Sequence, residues 1–260
     1  MGMYLIYFII IIFANTIGAI SGMGGGVIIK PVFDTVAFHT LTEITFYSSV
    51  AVLTMSVAST IKQFKNGVKI KVKEAIAISF GSILGGVLGN KLFVYLQEFF
   101  NNEGAVQLIQ IVLTVSSLLL VLGYTLLASK TCHFKSLSSY VLVGTFLGSF
   151  STLLGIGGGP INVTLLIVCF GLSMKKATVY SIITIFFSQL AKLIEISLTT
   201  GFSNYDLSFL WVIIPAAIIG GYLGGYASGK VSNHLVSKIF VSVVVLVIVI
   251  NLVNGWLILN

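Results

Sequence analysis

The sequence predicts an all-α integral membrane protein with eight membrane segments arranged as two inverted repeats. The first segment of each half is expected to be broken or re-entrant at a glycine-rich tip. Three observations lead there. Hydrophobic residues make up 57% of the 260 and charged residues 8%, with a mean hydropathy of +1.10, whereas a soluble domain carries about 25% charged residues. A G-x-G-G-G cluster at Gly22-Met23-Gly24-Gly25-Gly26 returns at Gly155-Ile156-Gly157-Gly158-Gly159, 133 positions later. Finally, the apolar run after each cluster is too short to span a bilayer, which needs about 20 residues.

The duplication extends beyond the glycines. Thr45, Tyr47 and Ser48 recur at the same offset as Thr178, Tyr180 and Ser181, and Gly85-Gly86 returns as Gly220-Gly221 at an offset of 135. Adjacent glycines weaken a helix by about 1 kcal/mol each against alanine. A break at membrane depth is tolerated only inside protein or along a watery cavity. Residues 4–38 and 138–171 are therefore read as broken or hairpin segments. Full spans are expected at 42–64, 72–97 and 105–128 in the first half, then at 175–199, 206–228 and 235–257 in the second. The halves divide as residues 1–130 and 131–260, one membrane domain with no soluble domain. The first twenty residues lack a preceding Lys or Arg and match the start of the second half, so they are read as a mature segment rather than a leader.

Charge orients the plan. All 14 basic residues are lysines. Lys62, Lys65, Lys69, Lys71, Lys73, Lys130, Lys135, Lys175, Lys176, Lys230 and Lys238 fall on one face if each glycine-rich segment turns back. That face is expected to be cytoplasmic. A half with one hairpin and three crossings then inserts its copy upside down, the plan of carriers whose site lies between inverted repeats. The net charge of +7 reads as this bias and not as nucleic-acid binding.

Candidate binding groups follow from the breaks. Half-helices starting near Gly26 and Gly159 would aim N–H groups inward, and such ends suit an anion. The candidate substrate-binding set is Gly22, Gly24, Gly25, Gly26 and Lys30 at the first tip, with Gly157, Gly158, Gly159 and Asn162 at the second. Polar side chains recur on one face of the 175–199 span at Ser181, Thr184, Ser188, Lys192 and Glu195, and on a similar face of the 42–64 span at Thr42, Thr45, Ser49, Ser56, Ser59 and Gln63. Of these Ser181, Thr184, Ser188, Lys192 and Ser49 join the candidate set, with Ser48 from the repeated group. Those hydroxyls serve equally as interhelical hydrogen-bond partners. Lys192 is costly at membrane depth and could pair with Glu195 three residues on or reach the surface. The ladder Gly81, Gly85, Gly89 and its counterpart Gly221, Gly225, Gly229 read as close packing, against the broken segments. His39, His133 and His234 are scattered, and Cys132 and Cys169 share no ligand spacing. Neither an enzyme, a cofactor nor a metal is expected.

The paired glycine motif, with Pro31 five residues after the first copy, resembles the TauE/SafE sulfite-exporter family, also called the four-toluene-sulfonate uptake permease group. The resemblance covers essentially the whole chain. It implies transport of sulfur-containing anions such as sulfite or an organosulfonate across a prokaryotic plasma membrane. The second copy departs from the first: Thr164 stands where Pro31 would fall, and Pro160 follows the glycines directly. The expectation is an alternating-access permease, with coupling to a proton or sodium compatible with it and the anion held between the tips and the polar faces. An anion channel or a non-transporting membrane scaffold or sensor is the alternative. Expected partners are the small anion and the lipid bilayer, with a homodimer compatible and nucleic acid excluded.

Overall fold

The computed structural model describes residues 2–65, 70–127 and 130–259. Among them all regular structure is helical. The helices are α1 (Gly2–Ser21), α2 (Gly26–Val36), α3 (Leu41–Lys65), α4 (Val72–Phe100), α5 (Glu103–Leu127), α6 (Leu137–Leu153), α7 (Pro160–Phe170), α8 (Met174–Thr199), α9 (Leu210–Lys230) and α10 (Asn233–Leu259). Helices α1, α3, α4, α5, α8, α10 and α9 with its preceding turn, seven in all, are long and apolar enough to cross a membrane. Helices α2 and α7, at 11 residues each, and α6, at 17, fall short of a full span. Lys69 and the side chain of Lys65, both counted in the charge bias, lie outside what is described, as does Ala128 at the end of a predicted span.

The glycine-rich segments are hairpins. The ring of Tyr7 on α1 stacks on that of Phe33 on α2 at 4.0 Å, although a continuous helix would hold the two about 39 Å apart at 1.5 Å per residue. Tyr140 on α6 stacks in the same way on Phe170 of α7 at 3.8 Å. The chain turns sharply because Gly22 and Gly155 take left-handed backbone angles, φ 77° and 67°, which cost little only without a Cβ. After the first turn the chain drops back along α1. The Gly24 amide donates to the Gly18 carbonyl at 3.3 Å, and a Cβ on Gly25 would overlap the Asn15 side chain. Helix α2 therefore begins at mid-depth, beside the middle of the 20-residue α1.

Glycine ladders join each half to the hairpin of the other. The most extensive packing is α4 on α6, followed by α1 on α9 and α3 on α9. Gly81, Gly85 and Gly89 of α4 lie directly on the backbone of α6 at Val141, Thr145 and Ser149, and Gly220 and Gly224 of α9 lie on α1 at Ile12 and Thr16. Gly221 and Gly225 meet α3 instead, at Met55 and Ser59. Backbone contact this close is how helices gain van der Waals energy where lipid offers no hydrophobic drive.

The outside of the bundle is apolar, with Leu120, Leu142, Leu198 and Trp211 more than two-thirds exposed. The inside holds Asn15, Ser48, Ser49, Asn162, Ser181, Ser188 and Lys192, all at or below 1% exposure. An apolar outside and a polar inside suit lipid as the solvent.

Candidate functional site

The two glycine tips meet. A Cβ on Gly26 would overlap the Ile156 carbonyl, and one on Gly24 would sit 3.4 Å from the carbonyl oxygen of Gly157. Val52 of α3 and Ile185 of α8 pack over this contact, both fully buried. Each tip leans on the opposite half. The Cβ position of Gly22 is 2.6 Å from the Thr178 backbone on α8, and that of Gly155 is 2.8 Å from the Thr45 side chain on α3. Ser181 and Thr178 donate to the carbonyls of Gly22 and Ser21 at 2.6 and 3.3 Å. The anion was expected between the tips and the polar faces of the 42–64 and 175–199 spans; the tips themselves touch, with Val52 and Ile185 packed over the contact.

Open space lies next to them. A cavity of about 260 Å³ runs between α3, α4 and α8, lined by Thr42, Thr45, Asn90, Phe93, Gln97 and Lys192 among others. Its Thr45 is the residue that touches Gly155. The Cβ position of Gly155 is also 3.3 Å from Cε of Lys30, so the second tip, the first half's buried lysine and the cavity wall come together.

Both lysines are buried, Lys30 at 3% and Lys192 at 1% exposure, but their surroundings differ. Lys30 donates to Oδ2 of Asp34 one turn on, at 2.7 Å, while Oδ1 of Asp34 has no hydrogen-bond partner. Lys192 donates to Oγ of Ser49 at 3.0 Å and lies 5.9 Å from the Phe93 ring centroid. No carboxylate lies within 4 Å of Lys192 among the described residues. The expected Lys192–Glu195 contact does not form: the Lys192 ammonium donates to Ser49 of α3, while the Glu195 carboxylate accepts a hydrogen bond from the Asn90 amide of α4. Lys192 does not reach the surface either.

The remaining candidates divide by whether their polar groups are already used. Ser181, Thr184 and Ser188 donate to backbone carbonyls at 2.6, 2.9 and 3.1 Å. Ser49 donates to the Thr45 carbonyl at 2.7 Å while accepting from Lys192. The hydroxyls of Ser48 and Thr45 and both amide atoms of Asn162 are buried without a partner, a state that costs about 1–3 kcal/mol per group. Ser48 lies against Gly26, its Oγ 2.8 Å from the Cβ position there.

Of the cavity's lining, Lys192 was placed in the candidate set from sequence and the other polar residues were not. Asn90 and Gln97 are amides on one face of an otherwise apolar span, a signal obscured by the neighbouring glycines and Lys91. Thr45 was noticed on its polar face but not placed in the site. Asp206 caps the turn before α9, outside the span, and hydrogen bonds from the Ser208 hydroxyl and amide hold its carboxyl below the usual range. Among the described residues no group of three His, Cys, Asp or Glu is placed to hold a metal ion.

Helical hairpins inside an apolar shell, with Lys192 buried on the wall of a cavity lined in part by threonine, asparagine and glutamine side chains, define an integral membrane protein with an internal polar site. Residues 7–251 match the family model of the sulfite exporter TauE/SafE, and the chain belongs to that family. Searches of curated proteins and of solved structures found no match.

Proposed function

We propose that the protein carries a small sulfur-containing oxyanion, such as sulfite or an organosulfonate, across a plasma membrane by alternating access. The observation that carries this reading is Lys192, an ammonium buried in the bundle with a hydroxyl as its hydrogen-bond partner, on the wall of a polar cavity. A buried cation with no carboxylate in direct contact is costly, and an incoming oxyanion would offset that cost. Lys30, Thr45, Ser48 and Asn162 would supply further donors as the tips part, and sulfite or sulfonate oxygens accept several hydrogen bonds at once.

Halves 1–130 and 131–260 are proposed as inverted repeats. Equivalent contacts support this. Tyr47 donates to the Asp206 carbonyl at 3.0 Å, and Tyr180, its counterpart, accepts from the Lys71 amide at 3.0 Å. The first contact lies beside acidic residues and the second beside lysines, at opposite ends of the bundle. Ser49 near the start of α3 meets Lys192 near the end of α8, as two copies of one helix crossing head to tail would. The lysine-rich end is proposed to be cytoplasmic, so the cavity opens outward and the Val52–Ile185 seal closes the route inward. Such a seal favours a carrier over an open channel. Coupling to a proton or sodium is part of the proposal, with the Lys30–Asp34 pair the available acidic group.

The test is thermal stability of the purified protein with sulfite, thiosulfate, sulfate, sulfoacetate, taurine or acetate at fixed ionic strength. Selective stabilisation by one sulfur oxyanion, absent in Lys192→Met, supports the reading. An equal response to all six, or an undiminished one in Lys192→Met, removes it.

A further inference from the structure

The two hairpins differ at their open ends. In the first half the hollow between hairpin, α3 and the start of α9 is filled by His39, whose ring meets Tyr7, Tyr47 and Phe209 at 5.7, 5.2 and 4.7 Å. The 133–135 offset carries these four residues onto Leu172, Tyr140, Tyr180 and Glu74. An aliphatic side chain replaces His39 and a carboxylate replaces Phe209. The hollow stays open there as a pocket of about 300 Å³, whose lining includes Lys71, Glu74, His133, Lys135 and Lys176.

Its floor is built and its rim is basic. Tyr140 and Tyr180 are 3% and 2% exposed, and Tyr140 lies flat on Phe170. The Glu74 carboxylate is already occupied: Lys71 donates to one oxygen at 2.8 Å and Tyr180 to the other at 3.1 Å. Lys135 and Lys176 form no ion pair among the described residues, which leaves the rim with a positive excess. Their positions are set by ordered backbone. The amides of Cys132 and Phe134 donate to the carbonyls of Val168 and Cys169 at the end of α7, both at 2.7 Å. The starts of α4 and α8 also border the pocket, and neither N-cap makes a side-chain hydrogen bond, so both helix dipoles add to the positive field. Beside the lysines, Phe134, Leu137 and Val72 are 49%, 47% and 66% exposed, an apolar shoulder where acyl chains would lie.

We propose that this pocket binds the phosphate of an anionic phospholipid headgroup at the lysine-rich end of the bundle, with Lys135 and Lys176 as its ligands. Basic pockets between membrane helices hold such headgroups through their lysines. The site is separate from the transport cavity, which lies between α3, α4 and α8 towards the other end.

The experiment compares delipidated full-length protein with a Lys135→Gln/Lys176→Gln variant, using dioleoylphosphatidylglycerol, dioleoylphosphatidylcholine, or inorganic phosphate without lipid. Native mass spectrometry counts retained lipid and thermal unfolding reads stability. The expected result is a rise of about 4 °C with the anionic lipid, at least halved in the double glutamine variant and restored in Lys135→Arg/Lys176→Arg. An equal rise with inorganic phosphate, with the same lysine dependence, supports the site and makes its ligand a soluble phosphate. Identical responses of wild type and glutamine variant in every arm overturn the proposal. Lys192→Met keeps the lipid response, so loss of sulfur-anion binding and loss of lipid binding are scored separately.

Discussion

Lys192 of α8 reaches Ser49 of α3 at 3.0 Å, and that bond bridges the two halves of the chain beneath the cavity. Replacing Lys192 by Met is expected to cut sulfur-anion affinity at least about tenfold, equivalent to 1.4 kcal/mol. Stability without anion should hold or rise, since exchanging a buried charge for an apolar side chain of similar volume is often neutral or stabilising. Isothermal titration and a melting curve on the same sample check both halves of this expectation; a large drop in melting temperature contradicts it.

The Asn90 amide of α4 donates to the Glu195 carboxylate of α8. Asn90→Leu leaves that carboxylate without its amide donor and is expected to cost about 1–3 kcal/mol. Glu195→Gln keeps a hydrogen bond and should stay within about 1 kcal/mol of wild type. Chemical denaturation in detergent ranks the two, and a larger loss in Glu195→Gln contradicts this account of the pair.

Gly22 and Gly155 carry φ angles that favour glycine, and each meets a threonine of the opposite half. Alanine at either position is expected to destabilise by about 1–3 kcal/mol from strain and overpacking. Gly123 of α5 has nothing within 4 Å of its Cβ position, so Gly123→Ala should be neutral or stabilising by up to about 1 kcal/mol. Melting temperatures of the three variants give the comparison, and equal effects at Gly22 and Gly123 would falsify it.

Cys132 is exposed at the lysine-rich end. With Cys169 replaced by serine, a membrane-impermeant maleimide should label Cys132 in inside-out vesicles and not in intact cells. Asn204→Cys, at the cavity mouth, in a chain lacking both native cysteines should show the reverse. Labelling of both from the same side contradicts the proposed orientation.

The hairpins were legible because two glycine clusters stand at one offset beside runs too short to span. The packing role of the ladders could also be read, since small residues every fourth position leave backbone exposed on one helix face. Side-chain pairing could not. In spans such as α5 and α10 almost every position is apolar, so sequence period does not say which face meets protein. Lys192 and Glu195, three residues apart, suggested a pair, but the helix aims them at different neighbours. Asp34 stands one turn from Lys30, the right distance for a bridge, yet it lies near the end of a run too short to span, where sequence does not say whether a carboxylate meets water or a buried lysine. The seal of Val52 and Ile185 was invisible as well, because contact between two tips 133 residues apart depends on how the halves interlock.

That interlock bears on synthesis. Helix α6 finds its ladder on α4, made well before it, whereas α1 must wait for α9, near the end of the chain. Until α9 is inserted, the small-residue face of α1 that receives Gly220 and Gly224 has only lipid or the insertion machinery for company. Residues 1–130 made alone should therefore be a quality-control substrate. Their half-life in cells should lengthen when residues 131–260 are supplied as a separate polypeptide.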